Sequence, residues 1–250
     1  MFARTFFRGL GLAAVLAAVA GSAARAQQLP PARQIADRHV HAIGGRPAVA
    51  RFQHRHIVSE TSLPGGGTMT ADAYQAAPNK TFVRTELPGM GTILAGHDGA
   101  AAWSSDPARG ARALRGSELG EALRQAEFWG YLDPAAAYRS LETVGEKTVR
   151  GRPCWEVKMV HASGAEAHGC FDKESGLLAW TSTGTGTTRV DVTISEYREF
   201  DGIRMPSRMV TSIMGQEMTT TIKSVSHEPF DASIFAVPAE VRARQAAPRN

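Results

Sequence analysis

Apolar and polar positions divide the chain into a helical opening and a long β-rich body. After a polar lead at 27–31, Ile35, Ala36, Val40 and Ile43 recur at roughly helical spacing over Ala32–Ile43. Gly44-Gly45 then supplies a stop, and Pro47–Phe52 reads as one more turn. From His54 the period shortens. Arg55–Leu63, Thr68–Gln75, Thr81–Leu87, Gly91–Gly96 and Ala100–Ser104 are short β-type runs, separated by Gly65-Gly66-Gly67, Pro78-Asn79, Pro88-Gly89 and Asp98-Gly99. Gly116–Trp129 interrupts them with Leu119, Ala122, Leu123 and Ala126 on one helical side and Phe128 and Trp129 at its end. Strand patterns resume as Leu141–Val149, Pro153–His161, Glu166–Asp172, Leu177–Thr183, Thr187–Phe200, Ile203–Ile213 and Glu217–His227.

Hairpin-length links make the pairing antiparallel, because a parallel crossover needs a dozen or more residues and only the 105–140 stretch offers them. At ~4.8 Å per strand, so many strands span roughly 50 Å, and twist makes a sheet this wide curl or split. Two amphipathic helices need a surface to bury against, and a curled sheet offers a concave one. The predicted fold class is therefore α+β: a single curled antiparallel sheet of about 11 strands, an unclosed β-barrel, with helices covering its concave face. Two helices cover such a face incompletely, which leaves a cavity.

The first 26 residues read differently. Arg4 and Arg8 precede an apolar run, Gly9–Gly21, and Ala24-Arg25-Ala26 places small residues where a signal peptidase needs them. The run is shorter than the roughly 20 residues that cross a bilayer. Residues 1–26 are thus a predicted cleaved signal peptide, 27–241 the folded domain and 242–250 a disordered tail. No Cys near the cleavage point offers a lipid anchor, so the mature chain is expected to be periplasmic, without a transmembrane segment.

With 43% hydrophobic and 21% charged residues, the composition is that of a globular chain. The formal charge of +4 includes Arg4, Arg8 and Arg25. Without them the balance is near neutral, too weak for binding nucleic acid through its phosphates.

Catalytic signatures are missing: no G-x-S-x-G, H-E-x-x-H, Walker loop or helix-opening G-x-G-x-x-G occurs. Gly65–Gly67 reads as a hairpin tip. His54 and His56 share a strand face and would need a third metal ligand from His97, His161 or His168, whereas His39 and His41 diverge on their helix. The reading is of no active site, no cofactor and no metal. Cys154 and Cys170 flank the turn at Ser163-Gly164, and in an oxidising compartment they are candidates for a cross-strand disulfide, with two buried thiols as the alternative. The bond would close about 17 residues, worth ~3 kcal/mol, and its register asks for a bulge or longer loop. Trp155, Val157 and Met159 alternate toward the inside of the sheet, and Met205, Met209, Met214 and Met218 crowd into two strands, flexible side chains suited to variable apolar ligands. Trp155, Val157, Met159, Met205, Met209 and Ile222 are the candidate cavity wall, with Phe128 and Trp129 on the lid.

Four stretches resemble the LolA/LolB-type superfamily of periplasmic lipoprotein-sorting and lipid-binding proteins. They are Ala42-Ile43-Gly44-Gly45; Gly96-His97-Asp98-Gly99 with Trp103; Gly145 through Val149, Gly151, Cys154 and Trp155 to Phe171-Asp172 and Gly176-Leu177; and Glu196-Tyr197-Arg198 with Asp201-Gly202-Ile203, Pro206, Phe235 and Pro238. The resemblance implies a half-barrel of about eleven strands with helices as a lid over an apolar cavity for acyl chains. The leading expectation is a soluble, non-enzymatic periplasmic carrier whose partner is a lipid or acylated protein. The alternatives are an envelope sensor or interaction domain regulating a partner protein, and a metal-assisted hydrolase using His54 and His56.

Overall fold

The computed structural model describes residues 29–246, so the expected leader and residues 247–250 lie outside it. Helix α1 (Ala32–Ala42) buries Ile35, Ala36, His39 and Val40 along one side, and a short α2 (Arg46–Ala50) follows. Between them Gly44 adopts φ +127°, and a β-carbon there would stand 2.5 Å from the carbonyl oxygen of Gly202. The chain turns where only glycine fits.

Six strands come next: β1 (His54–Ser62), β2 (Thr68–Ala76), β3 (Lys80–Leu87), β4 (Gly91–His97), β5 (Ala102–Asp106) and β6 (Gly110–Ala113). Helices α3 (Gly116–Ala126) and α4 (Pro134–Ala137) lead to seven more: β7 (Ser140–Val149), β8 (Arg152–Val160), β9 (Glu166–Asp172), β10 (Leu178–Thr183), β11 (Val190–Phe200), β12 (Ile203–Ile213) and β13 (Gln216–Ser226). Helix α5 (Ala239–Ala246) ends the described chain.

All thirteen strands form one antiparallel sheet in the order β6-β5-β4-β3-β2-β1-β13-β12-β11-β10-β9-β8-β7. It is unclosed: β6 and β7 are its two edges. The count exceeds the eleven or so expected. One strand the pattern missed is β6, four residues with no readable alternation, which follows a turn held by Asp106 accepting from the backbone N–H groups of Ala108 and Arg109.

The topology explains where the helices lie. The chain must travel from β6 at one edge to β7 at the other, and α3 and α4 make that crossing. On the concave side α1 packs Ala32 and Ile35 against Val157, Met159, Phe171 and Leu178, while Ile43, Val49, Leu132, Ile203 and Met205 form an adjoining cluster. Residues 242–246, expected in the tail, continue α5, because Val241 is fully buried against Trp103, Ala111 and Val237 and anchors the helix beside β6.

The disulfide Cys154–Cys170 is formed and sits with Trp180 and Val149 in a cluster of its own. The expected bulge between β8 and β9 is absent. Cys154 lies opposite Asp172, and Cys170 lies opposite Glu156, so the bond joins a diagonal pair two positions apart on one sheet face, with Cα atoms 5.5 Å apart. The irregularity falls instead between Leu178 and Trp180 in β10. There the strand changes face: Leu178 stays with the concave core and Trp180 joins the disulfide on the convex side.

Candidate functional site

A cavity of about 1110 Å³ lies between the concave face and the α3–α4 crossing. Its inner part is walled by Ile57 of β1, Tyr131, Met205 and Ile222, and its flank by Phe171, Leu178, Val190, Val192 and Ile194. Ser117, Glu118, Gly120 and Glu121 of α3, the β8–β9 hairpin and the β10–β11 loop border its outer part. All of these hairpin turns lie at one end of the sheet, so the mouth opens there.

Of the predicted wall, Met159, Met205, Met209 and Ile222 line this cavity. Val157 is buried under α1 instead, one member of a solid cluster. Trp155 points to a separate small cleft shared with Pro30, Ile35 and Phe171, with the Lys173 ammonium 3.6 Å above its ring. Phe128 and Trp129 are not lid surface. Helix α3 stops at Ala126, Glu127 turns extended, and the two aromatics drop into the core, Phe128 against Arg55 and Trp129 beside Ile203 and Met205. The alternation Val190-x-Val192-x-Ile194 could have revealed the β11 wall. Leu178 was hidden by the irregularity that separates it from Trp180.

The candidate metal ligands are dispersed. Among the described residues no group of three or more His, Cys, Asp or Glu converges to hold a metal. His54 meets the edge of Phe230, and His56 stacks on Tyr74 and bonds Asp72 at 3.0 Å. His97 is buried with Nδ1 2.6 Å from the Asn79 carbonyl, and His168 bonds Glu156.

Charge gathers at the mouth. Burial works against the charged form of Arg124, but hydrogen bonds to Glu121 and Tyr138 outweigh it and hold the guanidinium above its ordinary pKa. Burial likewise raises Glu121, and Arg124 overcomes it, so that carboxylate lies below its usual range. Glu127, with His161 Nε2 4.0 Å away, is pushed up by burial against a backbone hydrogen bond from Trp129. His161 is pushed down by burial and by the Arg124 charge, against the pull of Glu121.

Deeper in, Arg55 is the residue the pattern missed. It occupies the β1 position between His54 and His56, turns inward, and is 1% exposed. Nε donates to Gln75 Oε1 at 3.0 Å and Nη2 to the Phe128 carbonyl at 2.6 Å. The guanidinium lies 4.5 Å from the Phe128 ring centre, and burial draws its pKa below the ordinary value. A charge flanked by two histidines reads in sequence as a solvated strand position.

No family model and no curated protein matches the chain. Solved structures do. A DUF1329 family protein from Desulfovibrio piger is 16% identical with a TM-score of 0.57, over 82% of this chain and 97% of that one. The LolA superfamily protein NE2245 from Nitrosomonas europaea is 10% identical with a TM-score of 0.57, over 83% and 98%. An outer membrane lipoprotein-sorting protein domain from Vibrio parahaemolyticus is 11% identical with a TM-score of 0.52, over 81% and 95%. The chain has a LolA-like fold.

Proposed function

We propose that this protein is a periplasmic binding protein or carrier that holds the acyl chains of a lipid or lipoprotein in the cavity beneath its sheet. The observation that carries the reading is the cavity itself. It exceeds the ~300–1,000 Å³ typical of small-ligand sites, its inner walls are mostly apolar, and it opens at one end of the sheet. The LolA-like fold is consistent with that use. Among the described residues no helix is long and apolar enough to cross a membrane.

Relative to water, burying an acyl chain gains roughly 0.8 kcal/mol per CH₂, about 11 kcal/mol for fourteen carbons. Relative to a bilayer, where the chain is equally dry, the exchange is close to neutral. Such a protein therefore holds lipid against water without setting the direction of transfer, which partners at each membrane must impose.

Native mass spectrometry of protein taken from the periplasm, followed by organic extraction, tests the reading. A co-purifying lipid mass, and uptake of labelled acyl chains by the stripped protein, are the expected results. Protein that emerges empty and stays empty after incubation with labelled vesicles overturns it.

A further inference from the structure

We infer that the cavity takes a fatty acid head first, with the carboxylate of the ligand bound to the free guanidinium nitrogen of Arg55. This rests on the carrier reading and names its ligand. The geometry begins with a buried cation that has no ion-pair partner among the described residues. Arg55 lines the cavity and is almost fully buried, yet its hydrogen bonds go to a neutral amide and a backbone carbonyl, and its flat face to Phe128 and Tyr131. Among the described residues no carboxylate forms an ion pair with it. Nη1 is buried and has no hydrogen-bond partner among the described residues.

A buried guanidinium is costly unless paired, and an unsatisfied donor adds to that cost. The two arginines differ in this respect: Arg124 has its own acid in Glu121, and Arg55 has none among the described residues. An anionic group entering the cavity would supply the missing charge, and the guanidinium fork suits a planar carboxylate.

Position selects the kind of anion. Arg55 lies at the start of β1, at the end of the sheet opposite the β8–β9 and β10–β11 turns that border the mouth, so it marks the inner end of the cavity. An anion there must enter first, with its chain trailing toward the mouth. A small carboxylate can do this. A phosphodiester is substituted on both sides, so it cannot lead its chains to the inner end as a terminal carboxylate does.

The test is displacement of a fluorescent fatty acid from the stripped protein by palmitic acid and by 1-hexadecanol, at about pH 8 where the acid is ionised. Palmitate should bind about tenfold more tightly than the alcohol. The carboxyl carbon of bound, carbon-13-labelled palmitate should titrate at lower pH than that of the free acid. Arg55→Met should abolish the preference for palmitate over the alcohol. If that variant does not fold, the wild-type comparison and the carboxyl titration decide by themselves. Equal affinity for acid and alcohol overturns the carboxylate site and leaves the carrier standing. Displacement by phosphatidylglycerol as strong as by palmitate overturns it too, in favour of a phosphate. Binding of no lipid at all removes the carrier reading and this inference with it.

Discussion

Ser163 and Gly120 meet across the mouth of the cavity, the serine hydroxyl donating to the helix carbonyl at 3.0 Å. The bond ties the β8–β9 hairpin to the middle of α3, two elements that border the outer part of the cavity. The Ser163 N–H meanwhile donates to His161 Nδ1, so the turn presents its hydroxyl from a fixed position.

Ser163→Ala removes that tie and leaves the turn glycine in place. Losing one hydrogen bond of ~1 kcal/mol should speed release of a bound fluorescent fatty acid about fivefold. Stopped-flow release rates check it, and an unchanged rate means that ligands do not pass between α3 and the hairpin.

A charge in the wall should empty the cavity. Met159 is a poor place to put one, because it packs in the α1 core at 4% exposure. Met209 is better: it lines the cavity opposite Ile194 and is only half-buried. Met209→Arg should reduce acyl-chain affinity by at least about tenfold with a melting temperature near that of the parent. A variant that retains lipid as the parent does shows that chains do not lie along β12.

The disulfide stabilises without touching ligand. Its loop has a sequence separation of 16, and the chain-entropy model gives ~3 kcal/mol for closing a loop of that size. Replacing Cys154 and Cys170 by serine should lower unfolding stability by about that amount, read from urea denaturation. Ligand affinity should hold within about twofold, because the bond and Trp180 occupy the convex face.

Acid should destabilise the fold before the carboxylates titrate. His39 is buried with its ring nitrogens near the carbonyls of Tyr131 and Gly176, and burial lowers its pKa from 6.5 to about 4 despite those contacts. Between these values the unfolded chain binds a proton that the folded chain refuses. Stability is full above pH 6.5 and falls by up to ~3 kcal/mol as the pH approaches 4. His161 and His227 are lowered as well and act in the same sense. His39→Gln should flatten much of the slope in a series of urea midpoints; an identical slope in parent and variant assigns the effect elsewhere.

Gly44→Ala tests the turn after α1. The new β-carbon would meet the Gly202 carbonyl at 2.5 Å on a backbone at φ +127°. A loss of at least ~2 kcal/mol is expected, measured by thermal unfolding. A neutral result would mean that α1 shifts freely over β12, contrary to the Arg204 N–H bond to the Ile43 carbonyl at 2.8 Å.

Local pattern was enough to place the buried side of α1, most strands and their turns, since each rests on periodicity, glycine or proline within a few residues. It was enough to put the two cysteines together, though not to find their diagonal register. Four of the six candidate wall residues line the cavity, and neither of the two lid candidates does. The others went astray where the direction of a side chain depends on something distant: Phe128 and Trp129 because α3 ends before them, Val157 because α1 lies over it, and Trp155 because it meets that helix and not the lid.

By itself, the order of residues determined an antiparallel, helix-poor chain with one crossing long enough to span it, because strand period, turn chemistry and link length are local quantities. Only the folded molecule decided that this crossing joins the two edges of a single open sheet, and that Arg55 lines the cavity beneath it with no ion-pair partner among the described residues. Those facts depend on β1 pairing with β13 across the whole length of the domain, and no window of sequence contains both.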